Sequence, residues 1–447
     1  MSVLVCACLA IRRLVFSPIA HFPGPKIAAA TLWYEFYFDV IKRGSYFREI
    51  AKMHEKYGPV VRINPFELHI NDPTFYPILY SGPTRKRDKW PWAAKMFGNN
   101  TSVFATVSHG HHRVRRAALN PLFSRNAIQQ LEPQIQASMR LLCKRLDNFS
   151  HTGTVLDLGL AFAVFAADII SAHCFGHSFG LLQHPNFAPE WWMSSHIQDL
   201  IDKRHRDQSR HGQLCVFDAL LQSPKLPAAE KTVERLKGEG QTLIGAGTLT
   251  TANILKTVVF HTLHDPSRLE ALVAELETEF PDPKEPLSLK RLEKLPLLTA
   301  YITEGLRLAY GVTHRLQLLA DEPLQIHDMV IPPRTPVGMT SIFMHDNPAV
   351  FHNPRTFWPE RWLGKEGPDR SLARHLVPFS KGTRMCLGMH LAWAEIYVAL
   401  GTLFRLYSIC LFETERSDVE MAHDFFDPSP KLDSNGLRVR VQKKAMS

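Results

Sequence analysis

Apolar residues along most of this chain recur at three- and four-residue spacing, the period of a helix with one buried face. The pattern predicts helices over residues 113–123, 128–149 and 160–174, then over 233–261, 267–280, 297–308 and 389–406. An earlier run, 33–57, has the same period. Asp265-Pro266 stands just before one of these runs and supplies a side-chain cap followed by a residue pre-set for the first helical turn. Within that run Leu269, Leu272, Val273 and Leu276 form a stripe that reads as core packing. Segments of strand character lie at 60–70, broken by Asn64-Pro65, and at 316–320, 324–326 and 336–340, divided by Pro323 and Pro332-Pro333. The expected fold is mainly α with small β-sheets. The long central run carries Gly238, Gly240, Gly245 and Gly247, each costing about 1 kcal/mol relative to alanine in a helix. Something other than helix propensity must hold them there.

With 447 residues, 45% hydrophobic and 21% charged, the chain can bury a large core, which excludes a disordered or fibrous protein. No Gly/Ser-rich linker, low-complexity tract or internal repeat divides it, so residues 23–447 read as one large domain behind a short segment, 1–22. The net charge of +9 suits an anionic membrane or an acidic protein partner better than nucleic acid. Its basic residues are dispersed, without an interleaved aromatic platform, and the run Arg85-Lys86-Arg87 reads as a solvated face. Cys6, Cys8, Cys143, Cys174, Cys215, Cys386 and Cys410 are odd in number and unpaired in spacing, which points to a reducing compartment. The apolar start, residues 1–11, is shorter than the roughly 20 residues that a spanning helix needs. Arg12-Arg13 follow that stretch, whereas the charges of a signal peptide precede its apolar region. With the Phe22-Pro23-Gly24-Pro25 hinge behind it, the segment reads as a truncated or a peripheral membrane anchor.

The strongest chemical signal is the run Pro378-Phe379-Ser380-Lys381-Gly382-Thr383-Arg384-Met385-Cys386-Leu387-Gly388, directly ahead of a helical pattern. Gly382 and Gly388 allow a tight turn and close approach to a planar group, and a helix amino terminus favours a thiolate. A thiolate on iron pushes electron density towards the metal and promotes O–O cleavage. Arg384 stands where it could neutralise an anionic arm of such a group, and Phe379 where it could pack beside the sulfur. The bland alternative is that Cys386 is one more small buried hydrophobe. Glu304 and Arg307 fall on one helical face, and Pro359-Glu360-Arg361-Trp362 offers a second arginine for a buried Glu-Arg-Arg cluster. His109-Gly110-His111-His112 invites a metal-site reading, but no second ligand group with suitable spacing is near. Gly238-x-Gly240 and Gly245-x-Gly247 follow no strand and lack a third glycine, which excludes a dinucleotide loop.

These motifs, in this order, resemble the cytochrome P-450 family from Phe22 to nearly the carboxyl terminus, most densely over residues 297–412. The wording of 22–57, 379–382 and 418–420 further resembles filamentous-fungal members similar to trichodiene oxygenase. The resemblance implies a monooxygenase that inserts one atom of dioxygen into a small apolar substrate in fungal secondary metabolism. It implies haem b with Cys386 as axial thiolate, Arg384, Arg315, His112 and Arg116 on the haem propionates, and Phe379, Gly382 and Gly388 shaping the cradle. Glu304, Arg307 and Arg361 would be structural. Ala246-Gly247-Thr248-Leu249-Thr250-Thr251 resembles the oxygen-activating bend of the family's central helix, with Gly247 opening the backbone over the iron and Thr250, assisted by Thr251, delivering protons. The plain alternative is a threonine bonded back to its own helix. NADPH would act through a flavoprotein reductase, with cytochrome b5 as a further donor, on the cytosolic face of the endoplasmic reticulum membrane.

Two departures stand out. Leu249 replaces the acid that many members carry before the threonine, and residues 185–221 are short for the two helices that roof the family's substrate cavity. They keep two other readings open, a haem-thiolate rearrangement enzyme that needs no external electrons and a haem-binding protein with an incomplete lid.

Overall fold

The helical periodicity is realised in long helices whose ends are set by the residues that flank them. The structure, a computed structural model, describes residues 3–96, 98, 100–184, 187, 215–364, 367–368 and 370–444. Most of the shortened segment expected at 185–221 lies outside the described residues.

The elements used below are α1 (Val3–Val15), α2 (Tyr46–Tyr57), α3 (His109–Leu119), α4 (Arg125–Thr152), α5 (Leu158–Phe175), α6 (Val233–Leu263), α7 (Pro266–Glu279), α8 (Pro296–Leu308) and α9 (Met389–Leu406). Side chains cap several of these helices: Ser124 accepts from Ala127 N–H, Asp157 from Gly159 and Leu160, Thr232 from Arg235, and Asp265 from Arg268. Helices α4 and α5 end on Gly153 and Gly176, both left-handed. The run expected as one helix over 33–57 is broken. Arg43 and Gly44 turn at positive φ, and the Gly44 carbonyl accepts the Asp424 amide, a partner far along the chain.

The main sheet has five strands, β1 (Val60–Arg62), β2 (Leu68–Ile70), β3 (Arg87–Lys89), β4 (Leu318–Ala320) and β5 (Val337–Gly338), in the order β1-β2-β5-β4-β3. Only β2 and β5 are parallel. The expected strand at 324–326 pairs with Met329–Ile331 in a hairpin that the sequence reading missed. Tyr407–Leu411 and Arg438–Lys443 pair antiparallel and take Leu156–Asp157 as a third strand. Two further strands, β6 (His423–Phe425) and β7 (Asp427–Ser429), form a hairpin with Phe426 at its tip.

Helices α4 to α9 share one apolar core, and a second core lies under the main sheet. By length and composition α5 and α6 could cross a membrane, but both are largely buried in the helical core. Helix α6 is a continuous α-helix of 31 residues, so the opening expected at Gly247 is absent. Gly247 has a different reason: a Cβ there would stand 2.9 Å from Ile170 Cγ1, so the missing side chain lets α5 pack against α6.

Candidate active site

The cysteine loop is pinned at several points. Gly382 has a φ of +74°, and a Cβ on it would lie 2.2 Å from the Ser81 carbonyl oxygen, so only glycine fits this turn. The Thr383 amide donates to that same Ser81 carbonyl at 3.1 Å, and the Cys386 amide closes the loop onto Phe379 O at 2.8 Å. Phe379 itself packs against the helical core. Gly388 does not make the turn expected of it, because its φ of −86° suits any residue. It has open space where a side chain would be. Cys386 is solvent-accessible although protein surrounds it, so it lines an interior space. Burial raises its thiol pKa and outweighs the opposing pull of the Gly388 amide and of Arg116, contrary to the lowering expected at a helix start.

Basic side chains gather beside this loop. Arg384 donates to the carbonyls of Thr106 (2.8 Å) and Val107 (2.7 Å), and its buried Nε has no partner among the described residues. His112, on α3, is buried with no partner for Nδ1 among the described residues, and its pKa is pushed down to about 2 by burial and by neighbouring Arg384, Arg116, Lys89 and His109. Arg116 donates to Asn120 Oδ1 at 2.6 Å and feels the Cys386 sulfur. Lys89 and His109 are members that the sequence reading missed. The run Arg85-Lys86-Arg87 reads as a solvated face in the sequence, yet Arg87 is buried, as is Lys89 two residues further on. The Lys89 ammonium bonds Phe104 O at 2.6 Å and stands over the Phe104 ring. Asp88, the acid nearest Arg384, already holds Arg334. No group of three or more His, Cys, Asp and Glu side chains among the described residues could hold a metal ion.

Arg315 is not in this cluster. Its guanidinium donates to Glu67 (3.1 Å) and Glu35 and sits over the Tyr46 ring, so two carboxylates meet the charge expected to reach a propionate. Glu304, Arg307 and Arg361 do come together. Arg307 donates to both Glu304 oxygens (2.9 and 2.7 Å), Arg361 Nε to one of them at 3.2 Å, and the Trp358 amide and Trp362 indole complete the set.

On α6, Gly245, Ala246 and Leu249 are exposed although the helix runs through the core, so this face borders open space. Thr250 adjoins that face, and its hydroxyl donates to Ala246 O at 2.7 Å, the back-bonded form weighed above. Thr251 points elsewhere. It is buried, near the Glu395 carboxyl of α9 and away from the exposed face that Thr250 adjoins.

A thiol facing an interior space, basic groups with unfilled hydrogen-bonding positions beside it and a long helix with one open face together define a haem-thiolate oxygenase. The chain belongs to the cytochrome P450 family, whose model, described as Cytochrome P450, matches residues 25–204 and 192–433. It is 66% identical to a tryptophan 6-hydroxylase of Fusarium equiseti over 99% of this chain and 96% of the relative. It is 53% identical to an N-acetyltryptophan 6-hydroxylase of Emericella nidulans (98% and 95%) and 41% identical to a cytochrome P450 monooxygenase of Sordaria araneosa (97% and 95%). The protein is a haem-thiolate monooxygenase of fungal secondary metabolism. The first of these alignments runs over 489 positions against 447 residues here, so the relative carries a stretch that this chain skips. The family model matches in two pieces that overlap at 192–204, within the segment expected to be short for the roof.

The family carries haem on a cysteine thiolate, and the residues present fit it. His112 Nδ1, His109 Nε2 and Arg384 Nε, buried and without hydrogen-bond partners among the described residues, suit the anionic arms of such a group, and Gly388 leaves a bare flank beside Cys386.

Proposed function

We propose that Cys386 would hold the haem iron through its thiolate and that the protein hydroxylates the indole ring of tryptophan or an N-acylated tryptophan. The similarity to the two tryptophan-directed hydroxylases carries the substrate. It replaces the small apolar molecule of the sequence reading with one that joins an apolar ring to a polar head. When bound, haem supplies the place where dioxygen is reduced with two electrons, drawn from NADPH through a flavoprotein reductase with cytochrome b5 as a second donor. One oxygen atom enters the substrate and the other leaves as water.

The chain's own residues do the rest. Arg384, His112 and Arg116 would hold the propionates, joined by Lys89 and His109 and without Arg315. Gly382 sets the turn of the loop that carries Cys386, which would bind the iron. Glu304, Arg307 and Arg361 fix α8 against the segment around Trp358. Thr250 holds water on the open face of α6, and Leu249 gives that face no acid. Residues 23–447 act as one domain behind the short segment 1–22. The amino-terminal region exposes Leu4, Val15, Phe16, Trp33, Val40 and Ile41, which supports a resting place on the cytosolic face of the endoplasmic reticulum membrane.

The test is the purified, haem-loaded protein with its reductase. We expect a thiolate-type carbonyl spectrum that Cys386→His abolishes, and 6-hydroxylated product from tryptophan or N-acetyltryptophan only when NADPH is present. An isomeric product formed without NADPH would favour the rearrangement reading; haem loading with no turnover of either indole would remove the substrate reading, and no ligand-induced spectral change with any candidate would favour the incomplete-lid reading. The same preparation should float with anionic vesicles; protein left in the aqueous phase would remove the membrane assignment.

A further inference from the structure

The stretch 101–108 ahead of α3, the segment between α8 and β4 and the tip of the β6–β7 hairpin lie far apart in sequence and meet at one aromatic corner. Phe104 stands edge to face with Phe426 at 5.8 Å, and the His314 ring lies near-parallel to Phe426 at 6.2 Å. The corner is firmly tied. Thr313 donates its amide to Phe426 O at 2.9 Å and its hydroxyl to Asp424 Oδ1 at 2.7 Å, and the Phe426 amide returns to that carboxylate at 3.0 Å. Lys89 links the corner to the basic cluster at the cysteine loop, since it stands over the Phe104 ring and neighbours both His112 and His314. His314 is partly solvent-accessible although protein surrounds it, so, like Cys386, it lines interior space.

Burial pushes the His314 pKa down to about 3, helped by the nearby charges of Arg315 and Lys89, so the ring is neutral and one of its nitrogens is an acceptor. Gln317 decides which one. It lies near both Glu67 and His314. A carboxylate takes the N–H end of an amide, which leaves the Gln317 oxygen, buried and with no other partner among the described residues, for the imidazole N–H. The second imidazole nitrogen is then a bare acceptor for a ligand. Lys89 and Arg315 repel an ammonium from this position, and the lone pair repels a carboxylate, so a neutral N–H is the group that fits. Aromatic surface with an acceptor at its side matches a flat ring that carries an N–H in its own plane.

Resting on the substrate reading given above, we propose that His314 accepts the indole N–H of the substrate at the Phe104–Phe426 corner and so sets which edge of the indole is hydroxylated. In an indole the nitrogen shares its long edge with positions 6 and 7, and the carbon that bears the amino-acid side chain shares the other edge with positions 4 and 5. Turning the ring over about its long axis exchanges position 6 for position 5. A hydrogen bond to the nitrogen holds one of the two poses. Position 6, which the names of both tryptophan-directed relatives carry, is thereby favoured over position 5.

The test uses the haem-loaded protein with tryptophan or N-acetyltryptophan and with the matching 3-benzothienyl analogue, in which sulfur replaces the N–H in a ring of the same shape. Affinity is read from the ligand-induced shift of the haem spectrum, and regioselectivity from the ratio of 5- to 6-hydroxylated product. We expect wild type to bind the indole about threefold to tenfold more tightly than the analogue, the worth of one neutral hydrogen bond. His314→Phe keeps a ring and removes the acceptor, and should bind both ligands alike and give the two products in comparable amounts. His314→Gln restores an acceptor and should recover part of both preferences. A ligand preference or a product ratio that survives His314→Phe overturns the proposal. If His314→Phe loses haem, wild type decides: weaker binding and mixed products from the analogue support the assignment, and equal binding with a single product overturns it. Wild type that binds neither indole removes the substrate reading and this assignment with it, whereas wild-type hydroxylation with both preferences intact in His314→Phe removes this assignment alone.

Discussion

Glu304 is fully buried, and among the described residues the donors to its two oxygens are Arg307, Arg361, Trp358 and Trp362. Removing it in Glu304→Ala leaves two guanidinium groups in the interior without a counter-charge, a loss of about 3 to 5 kcal/mol. Against a total stability of roughly 5 to 15 kcal/mol that is a large share. Denaturant unfolding of Glu304→Ala should show this loss together with poor haem retention; wild-type stability would mean that water reaches the arginines. The neighbouring threonines make a second point at this scale. Thr250 and Thr251 are adjacent and chemically alike, yet one borders the open face of α6 and the other is buried against Glu395. Sequence order suggests a shared role, and the turn of 100° per residue separates them.

At the scale of the element, α5 and α6 meet where Gly247 has no side chain. Gly247→Val drives two methyl groups towards Ile170, and overpacking of this kind costs about 1 to 3 kcal/mol. The measurement is the unfolding free energy of the variant, and a value equal to wild type would show that α5 yields without strain. Helices were legible because their signals are local. Asp265-Pro266 marks the start of α7 as expected, and 389–406 emerged with the expected bounds. The failures were decided by distant partners. The break at Gly44 serves Asp424, Arg315 is claimed by Glu35 and Glu67, and Arg87 is buried because Glu322 meets its charge. The hairpin at Met329–Ile331 escaped because its strands are three residues long and its turn bends at His327, with φ at 48°. For the site, the cysteine loop and the Glu-Arg-Arg cluster were readable, whereas Lys89 and His109 were not, since only tertiary packing sets them beside Arg384.

Across the whole molecule, acid stability is divided between opposed groups. His54 is buried between Gly58 O (2.8 Å) and His69 (2.7 Å), and burial lowers its pKa to about 4. In the unfolded chain it binds a proton near pH 6.5, so the unfolded state holds more protons below that pH and the native state loses stability as pH falls. Asp39 and Glu67, both raised to about 7 by burial, act in the opposite sense, so a raw pH curve does not isolate the histidine. His54→Asn does, because asparagine can keep the bond to Gly58 without titrating. The variant should be less stable than wild type near pH 7.5, and the deficit should narrow as the pH falls from about 6.5 to about 4. A deficit independent of pH would mean that His54 titrates as it does in an unfolded chain. The ties of the cysteine loop bear on a different matter, the order in which the protein is built. Arg384 hangs on carbonyls 278 and 277 residues earlier, and Thr383 on Ser81. Contacts so distant in sequence form late, after the entropy of closing the intervening chain has been overcome. A nascent chain therefore has no finished cradle until its last hundred residues have docked against its first, and cofactor capture becomes the closing latch of folding, drawing the nearly assembled protein forward by mass action.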